Sequence, residues 1–387
     1  MTYDFDHPVE RRASDSSKWR KYGADVLPLW VADMDFVSPE PVIRALRARV
    51  EHGVFGYGIE CDEFSETVVA LLAQRYGWQV APEALVLLPG VVPGFNLAGQ
   101  AVTVPGDGML LHTPVYPPIL RAPSNLQVTR QGVGLVRQGD GAYEIDFDAF
   151  EAAITARTRM FLLCNPHNPV GRVFRQDELL RLADICLRHQ LVICSDEIHC
   201  DLVFQGHTHC PIASLAPDIA AHTITLMAPS KTYNLAGLKC AFAVIPNPVL
   251  REKFLAVRRD LVQGLPNILG YLAALVAYRE GQPWLEHVLR YLEENRNCVR
   301  DYVAMHMPRV SATTPEGTYL SWLDCRHAGI PQNDPYTFFL ERARVALNNG
   351  ADFGPGGGGF VRLNFGCTRA TLLQALERMR EALATLG

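Results

Sequence analysis

Six short apolar runs recur between residues 85 and 245, and they constrain the fold more than any other feature. They are Leu85–Leu88, Met109–His112, Met160–Cys164, Leu191–Ser195, Thr223–Met227 and Cys240–Ile245. Amphipathic stretches such as Asp177–His189 lie between several of them. Strands that are apolar throughout must be covered on both faces, and helices between them supply the cover. The expectation is an α/β fold with a mostly parallel sheet sandwiched by helices. With 48% apolar and 20% charged residues, the chain has the composition of a globular protein able to bury a large core.

The flanks read differently. Residues 1–38 are irregular, with Pro8, Pro28 and Pro39. Pro39 and Pro41 open a helical pattern in which Val42, Ile43, Leu46 and Val50 share a face, and a second helix is expected over 62–76. From about 248 the pattern turns helical, over 248–263, 266–280 and 283–306. After Pro308 come short strands, Thr318–Leu323 and Phe360–Phe365, with helices near 334–344 and 369–385. That tail of about 100 residues suits a smaller α+β domain.

Several function classes are disfavoured. A net charge of −5 offers no broad attraction to nucleic acid or an anionic membrane. No apolar stretch reaches the roughly 18 residues of a membrane span. The start Met1-Thr-Tyr-Asp-Phe-Asp6 is too polar for a signal peptide. Ten cysteines without a small-domain framework fit free thiols in a reducing cytoplasm. The cluster His199-Cys200, His207, His209-Cys210 lacks metal-ligand spacing, so no metal is expected, and His207 and His209 read as a polar turn. Gly356–Gly359 has no following helix and reads as a flexible turn.

Four stretches carry chemistry. Lys231, in Ala228-Pro-Ser-Lys-Thr-Tyr-Asn-Leu-Ala-Gly-Leu-Lys239, sits between two core strands, where a buried ammonium is costly unless it loses its proton or bonds covalently. A Schiff base with a carbonyl cofactor, above all pyridoxal phosphate (PLP), uses both options. In Leu88-Pro-Gly-Val-Val-Pro-Gly94 a strand ends at Gly90 and a helix begins near Pro93, a geometry that binds phosphate through backbone N–H groups. Cys164-Asn-Pro-His-Asn-Pro-Val-Gly171 is a rigid loop at a strand's carboxyl end, where open α/β sheets bind ligands. Cys194-Ser-Asp-Glu-Ile-His-Cys-Asp201 sets a carboxylate at another strand end, where it needs a cation such as a pyridinium nitrogen.

With Val361-Arg-Leu-Asn364, these motifs occur in the order seen in fold-type I PLP enzymes, and the chain resembles the class I/II aminotransferase superfamily. Leu29-Trp-Val-Ala-Asp-Met-Asp-Phe36, Val54-Phe-Gly-Tyr57, Asp196–Leu202, Lys231–Leu238 and Pro315-Glu-Gly-Thr-Tyr-Leu320 resemble its cystathionine β-lyase subgroup, the cysteine-S-conjugate β-lyases of MalY/PatB type. The resemblance implies a large PLP-binding domain over 46–283, a small domain over 284–387 and a segment 1–45 joining the latter. It implies that Lys231 bonds PLP, Asp196 pairs with the pyridine nitrogen, and Tyr116 stacks on the ring. Asn168 faces the 3-oxygen, and His199 stands where many relatives carry a tyrosine that contacts it. Val91, Val92 and Ser230 bind the phosphate, and Arg362 clamps the substrate carboxylate. Lys239 stands where relatives carry a phosphate-binding arginine; it either adds charge there or is a strand-edge residue with its head in solvent. Tyr57 reaches the other site of a homodimer, and Trp30, Tyr57 and Tyr116 border the substrate. The implied activity is β-elimination from cystathionine or another cysteine conjugate, with an aminotransferase or a PLP-binding regulator of a transcription factor as alternatives.

Overall fold

The computed structural model describes residues 3–262 and 266–386, so the last residue expected in the helix over 248–263 lies outside it. After an irregular start come helices α1 (Glu40–Glu51) and α2 (Asp62–Tyr76). Pro41 enters α1 in its first turn, where a missing N–H costs nothing. Its inward face is narrower than expected: Val42 is fully buried but Val50 is 52% exposed. Phe64, Val68 and Leu72 of α2 are buried at helical spacing, and Gly77 ends it at φ +63, which suits glycine.

The main sheet has seven strands: β1 (Leu85–Leu88), β2 (Gly108–Thr113), β3 (Thr129–Gly134), β4 (Thr158–Cys164), β5 (Val192–Asp196), β6 (Thr223–Met227) and β7 (Ala241–Val244). Their order is β1-β7-β6-β5-β4-β2-β3. Strands β2 to β6 pair in parallel, whereas β7 runs antiparallel to both neighbours, with Ala241 opposite Leu88 and Phe242 opposite Met227. The carboxyl ends of β1, β2, β4, β5 and β6 therefore share one edge with the start of β7, and all the chemistry-bearing loops leave from that edge. Strand β3 escapes the apolar-run reading because it closes the sheet with Thr-Arg-Gln-Gly-Val-Gly, of which only Val133 is buried.

Period-two alternation divides the core. On one face Val86, Leu88, Leu111, Leu162 and Leu226 pack with Phe95 of α3 (Val91–Val102). On the other, Leu110, Phe161, Leu163 and Ile193 pack with Leu179 and Leu182 of α5 (Gln176–Arg188), which follows α4 (Pro117–Asn125).

After α6 (Pro248–Leu261) and α7 (Ile268–Glu280), helix α8 (Gln282–His306) leads to an antiparallel sheet. It contains β8 (Ser311–Ala312), β9 (Leu320–Asp324), β10 (Asn348–Asn349) and β11 (Phe360–Asn364), in the order β8-β9-β11-β10. Strand β9 starts later than expected because Thr318 has φ +70, outside extended geometry. The helix expected near 334–344 is a short turn, Pro335–Phe338, followed by a π-helical turn, Phe339–Ala343, that ends at Arg344 in the left-handed conformation. Helix α9 (Arg369–Ala384) packs on α8. The N-terminal segment reaches this unit, since Leu27–Pro28 pairs in parallel with Val345–Ala346. Among the described residues no helix is long and apolar enough to cross a membrane.

Candidate active site

A cavity of about 940 Å³ opens over the shared strand edge, lined by Trp30, Gly90, Val91, Val92, Tyr116, Asn168, Asp196, His199, Ser230, Lys231, Lys239 and Arg362 among others. Eleven of these, all but Gly90, are residues the sequence singles out as cofactor or substrate contacts.

Lys231 sits in the turn Pro229–Thr232 directly after β6, and its Nζ donates to the Ala32 carbonyl at 2.5 Å. Burial and the nearby Arg362 guanidinium lower its pKa to about 8, against the pull of Asp33 and Asp196. Asp196 ends β5, is 4% exposed, and accepts from the Ile198 amide at 3.2 Å. Burial, reinforced by Glu197, raises its pKa to about 7. This buried carboxylate with one amide donor faces a cavity and lacks a strong cationic partner. His199 is buried, its Nδ1 has no partner, and burial pushes its pKa well below the usual histidine value. A neutral imidazole with a free nitrogen can take or give one hydrogen bond to a ligand.

Arg362 reaches the cavity from β11. Its Nη1 donates to Asn168 Oδ1 at 2.8 Å, and its Nη2 donates to the Trp30 carbonyl at 3.0 Å and Asn348 Oδ1 at 2.5 Å. The guanidinium lies 5.0 Å from the Phe353 ring centre, and Nε is buried without a partner. Burial lowers its pKa to about 10, so it stays charged at neutral pH. The Asn168 carbonyl accepts from the Tyr116 amide at 3.0 Å, tying the Tyr116 loop to the Asn-Pro loop, whose two Asn–Pro bonds are both cis.

Helix α3 begins at Val91, two residues before the expected start. Its first intrahelical donor is Gly94, leaving the amides of Val91 and Val92, both cavity-lining residues, without a helical acceptor. Ser230 and the exposed Lys239 also line the cavity. Tyr57 is not brought to its own chain's cavity. It is fully exposed in the segment between α1 and α2, with Val54, Phe55 and Ile59 also exposed. Free helical amides, a buried carboxylate, an unpartnered imidazole and a lysine of low pKa together fit a cofactor with a phosphate, a cationic ring nitrogen and a carbonyl.

Three supporting features were not foreseen. The first is the anchoring of the irregular run that supplies the Trp30 and Ala32 carbonyls. Asp35 takes a bond from Lys18 at 2.8 Å, Arg11 at 2.5 Å and Trp19 Nε1 at 2.7 Å, while Arg11 also binds Asp33 at 2.8 Å. Asn234 clips the same run to the Lys231 turn through Met34 N, Met34 O and Phe36 O. The two aspartates of the Leu29–Phe36 motif were the visible signal. The second is Asn348 and Phe353, which hold Arg362 and carry no motif of their own. The third corrects the reading of His209 as a polar-turn residue. It is 6% exposed and its Nε2 lies 2.9 Å from Glu197 Oε2, while Glu197 Oε1 accepts from Ser195 Oγ at 2.8 Å. His207 is exposed, as a turn residue should be.

A family model for aminotransferase class I and II matches residues 24–379. Cystathionine beta-lyase PatB of Bacillus subtilis is 40% identical, the alignment covering 98% of this chain and 100% of that protein. Cystalysin from Treponema denticola, whose crystal structure contains pyridoxal 5'-phosphate, superposes with a TM-score of 0.96 at 35% identity over 100% of both chains. The PLP-bound C-S lyase from Staphylococcus hominis superposes with a TM-score of 0.93 at 31% identity over 99% of each chain. A match across nearly the whole chain, with the motif residues gathered in one cavity, settles its kinship: the chain belongs to the aminotransferase class I and II family.

Proposed function

We propose that this chain is a PLP-dependent carbon–sulfur lyase that cleaves cysteine thioethers to a thiol, pyruvate and ammonia. The observation that carries the reading is one cavity holding the amine of Lys231, the buried Asp196 carboxylate and the Arg362 fork. The 40% identity to a cystathionine β-lyase favours carbon–sulfur chemistry within the family. In this reading Lys231 would bond the cofactor, and Asp196 would face its ring nitrogen. Asn168 and His199 would meet the 3-oxygen, and Tyr116 would stack on the ring. The amides of Val91 and Val92 and the Ser230 hydroxyl would hold the phosphate, with Lys239 adding charge at the rim. The bound cofactor supplies an electron sink, so that a Cα proton can leave.

The protein's own groups do the rest. Arg362 binds the substrate carboxylate as a planar fork, and its bonds to Asn168 and Asn348 orient it before substrate arrives. Lys231 Nζ takes the Cα proton; with a pKa near 8, the neutral base is accessible at mildly alkaline pH. The Ala32 carbonyl holds that nitrogen in place. Asp196, a carboxylate short of donors, would hold the ring nitrogen of the cofactor protonated. Arg362 and Tyr116 together fix the substrate so that the C–S bond breaks at Cβ.

The same reading includes a homodimer in which Tyr57 enters the neighbouring site, supported by its full exposure beside Val54, Phe55 and Ile59. It includes a cytoplasmic location and the division into a large unit over 46–283 and a small unit over 284–387 joined by 1–45. Pairing of Leu27–Pro28 with Val345–Ala346 supports the last point, although α1 runs unbroken through residue 45. The test is thiol release by the purified holoenzyme from a panel of cysteine thioethers. Release from at least one at rates lost in Lys231→Ala is expected; no thiol from any of them overturns the proposal.

A further inference from the structure

Two opposite charges on the cavity wall have no part in the chemistry above. Arg121 lies on α4, one turn beyond Tyr116, and Asp352 lies in the turn Gly350–Phe353, one residue before the ring under Arg362. Both line the cavity. Their elements are packed together: the Val115 amide donates to the Phe353 carbonyl at 3.0 Å, and a Cβ on Gly354 would stand 2.9 Å from the Leu120 side chain. Among the described residues neither the Arg121 nor the Asp352 side chain makes a hydrogen bond or an ion pair, so both charges are open to a ligand.

We infer that Arg121 and Asp352 form a distal subsite for the zwitterionic end of a substrate with an amino-acid head at both ends of a thioether. This rests on the lyase reading of the same cavity. Arg362 fixes one carboxylate, and the cavity of about 940 Å³ lies near the upper end of the roughly 300–1,000 Å³ usual for small-molecule sites. It has room beyond a cofactor and a short amino acid. A carboxylate suits the Arg121 guanidinium and an ammonium suits Asp352, so a paired zwitterion satisfies both without leaving either charge unmatched. A simple S-alkyl cysteine engages neither. Since both side chains are exposed, each contact is weak, and the pair contributes discrimination rather than bulk affinity.

The test uses Arg121→Gln, Asp352→Asn and the double variant as holoenzymes, with the ratio of kcat/KM for L-cystathionine to that for S-ethyl-L-cysteine as readout. The ratio should fall about fivefold in each single variant, as a charge contact of about 1 kcal/mol implies, and about tenfold or more in the double variant. Binding is measured in parallel by calorimetry with the sulfur-free analogues, in which CH2 replaces sulfur: the double-headed analogue of L-cystathionine and L-norleucine. Their Kd ratio should move by the same factors. A change below threefold in the double variant by calorimetry overturns the subsite. If wild-type enzyme releases no thiol from any thioether, the lyase reading fails, and the calorimetric ratio still decides for or against the subsite.

Discussion

Asp196→Asn should make the cofactor-free protein more stable, and only above the acid range. Burial raises the Asp196 carboxyl from 3.8 to about 7, so between those pH values the folded state holds a proton that the unfolded chain has lost. Stability therefore falls as pH rises through that window, and the full cost stands above pH 7. At 1.36 kcal/mol per pH unit, the interval of about 3 units is worth about 4 kcal/mol. Asparagine keeps an oxygen for the Ile198 amide and carries no charge, so it removes most of that cost. Urea unfolding of cofactor-free wild type and variant, followed by circular dichroism, measures the difference. The variant should be more stable by about 2–4 kcal/mol at pH 8, with the gap closing toward pH 4. A gap independent of pH, or a wild type more stable at pH 8, would refute the claim that Asp196 is a charge held at a cost for a cationic partner. In holoenzyme the same substitution should lower turnover at least tenfold, because an amide cannot hold the ring proton.

Other outcomes follow from the same contacts. Arg362→Lys loses the fork that meets Asn168 and Asn348 together and should raise KM by about tenfold or more with the cofactor spectrum intact; an unchanged KM would move the carboxylate site elsewhere. Asp35→Ala leaves Lys18 buried without its main partner and should cost about 3 kcal/mol or more in urea unfolding, with a loss under 1 kcal/mol counting against the buried network. Mixing Tyr57→Ala subunits with Lys231→Ala subunits should restore activity if each site needs two chains, since some sites in a mixed dimer carry neither defect; no recovery after verified exchange rejects the shared site.

The sequence and the structure agree where chemistry needs a side chain at a strand end. Lys231, Asp196, Asn168 and the Val91–Val92 turn lie just after apolar runs; parallel pairing brings the first three ends to one edge, and two antiparallel steps through β7 bring the end of β1 to the same edge. Arg362 was legible from its motif, but its orientation was not, because Asn348 and Phe353 meet it only through tertiary pairing. The carbonyls of Ala32 and Trp30 were invisible for a simpler reason: every residue has one, and only the path of the chain decides which faces a lysine. His209 looked like a surface turn because the Glu197 that buries it lies on another loop. Strand β3 hid behind polar residues at a sheet edge, where one face needs no apolar cover.

The measurement closest to the central claim is the product balance from L-cystathionine with no 2-oxo acid present. Pyruvate, ammonia and thiol in equal amounts over many turnovers are expected of a β-lyase, because elimination regenerates the enzyme without a second substrate. Turnover that stalls after about one equivalent per site and resumes only when a 2-oxo acid is added would make the protein an aminotransferase and contradict the account.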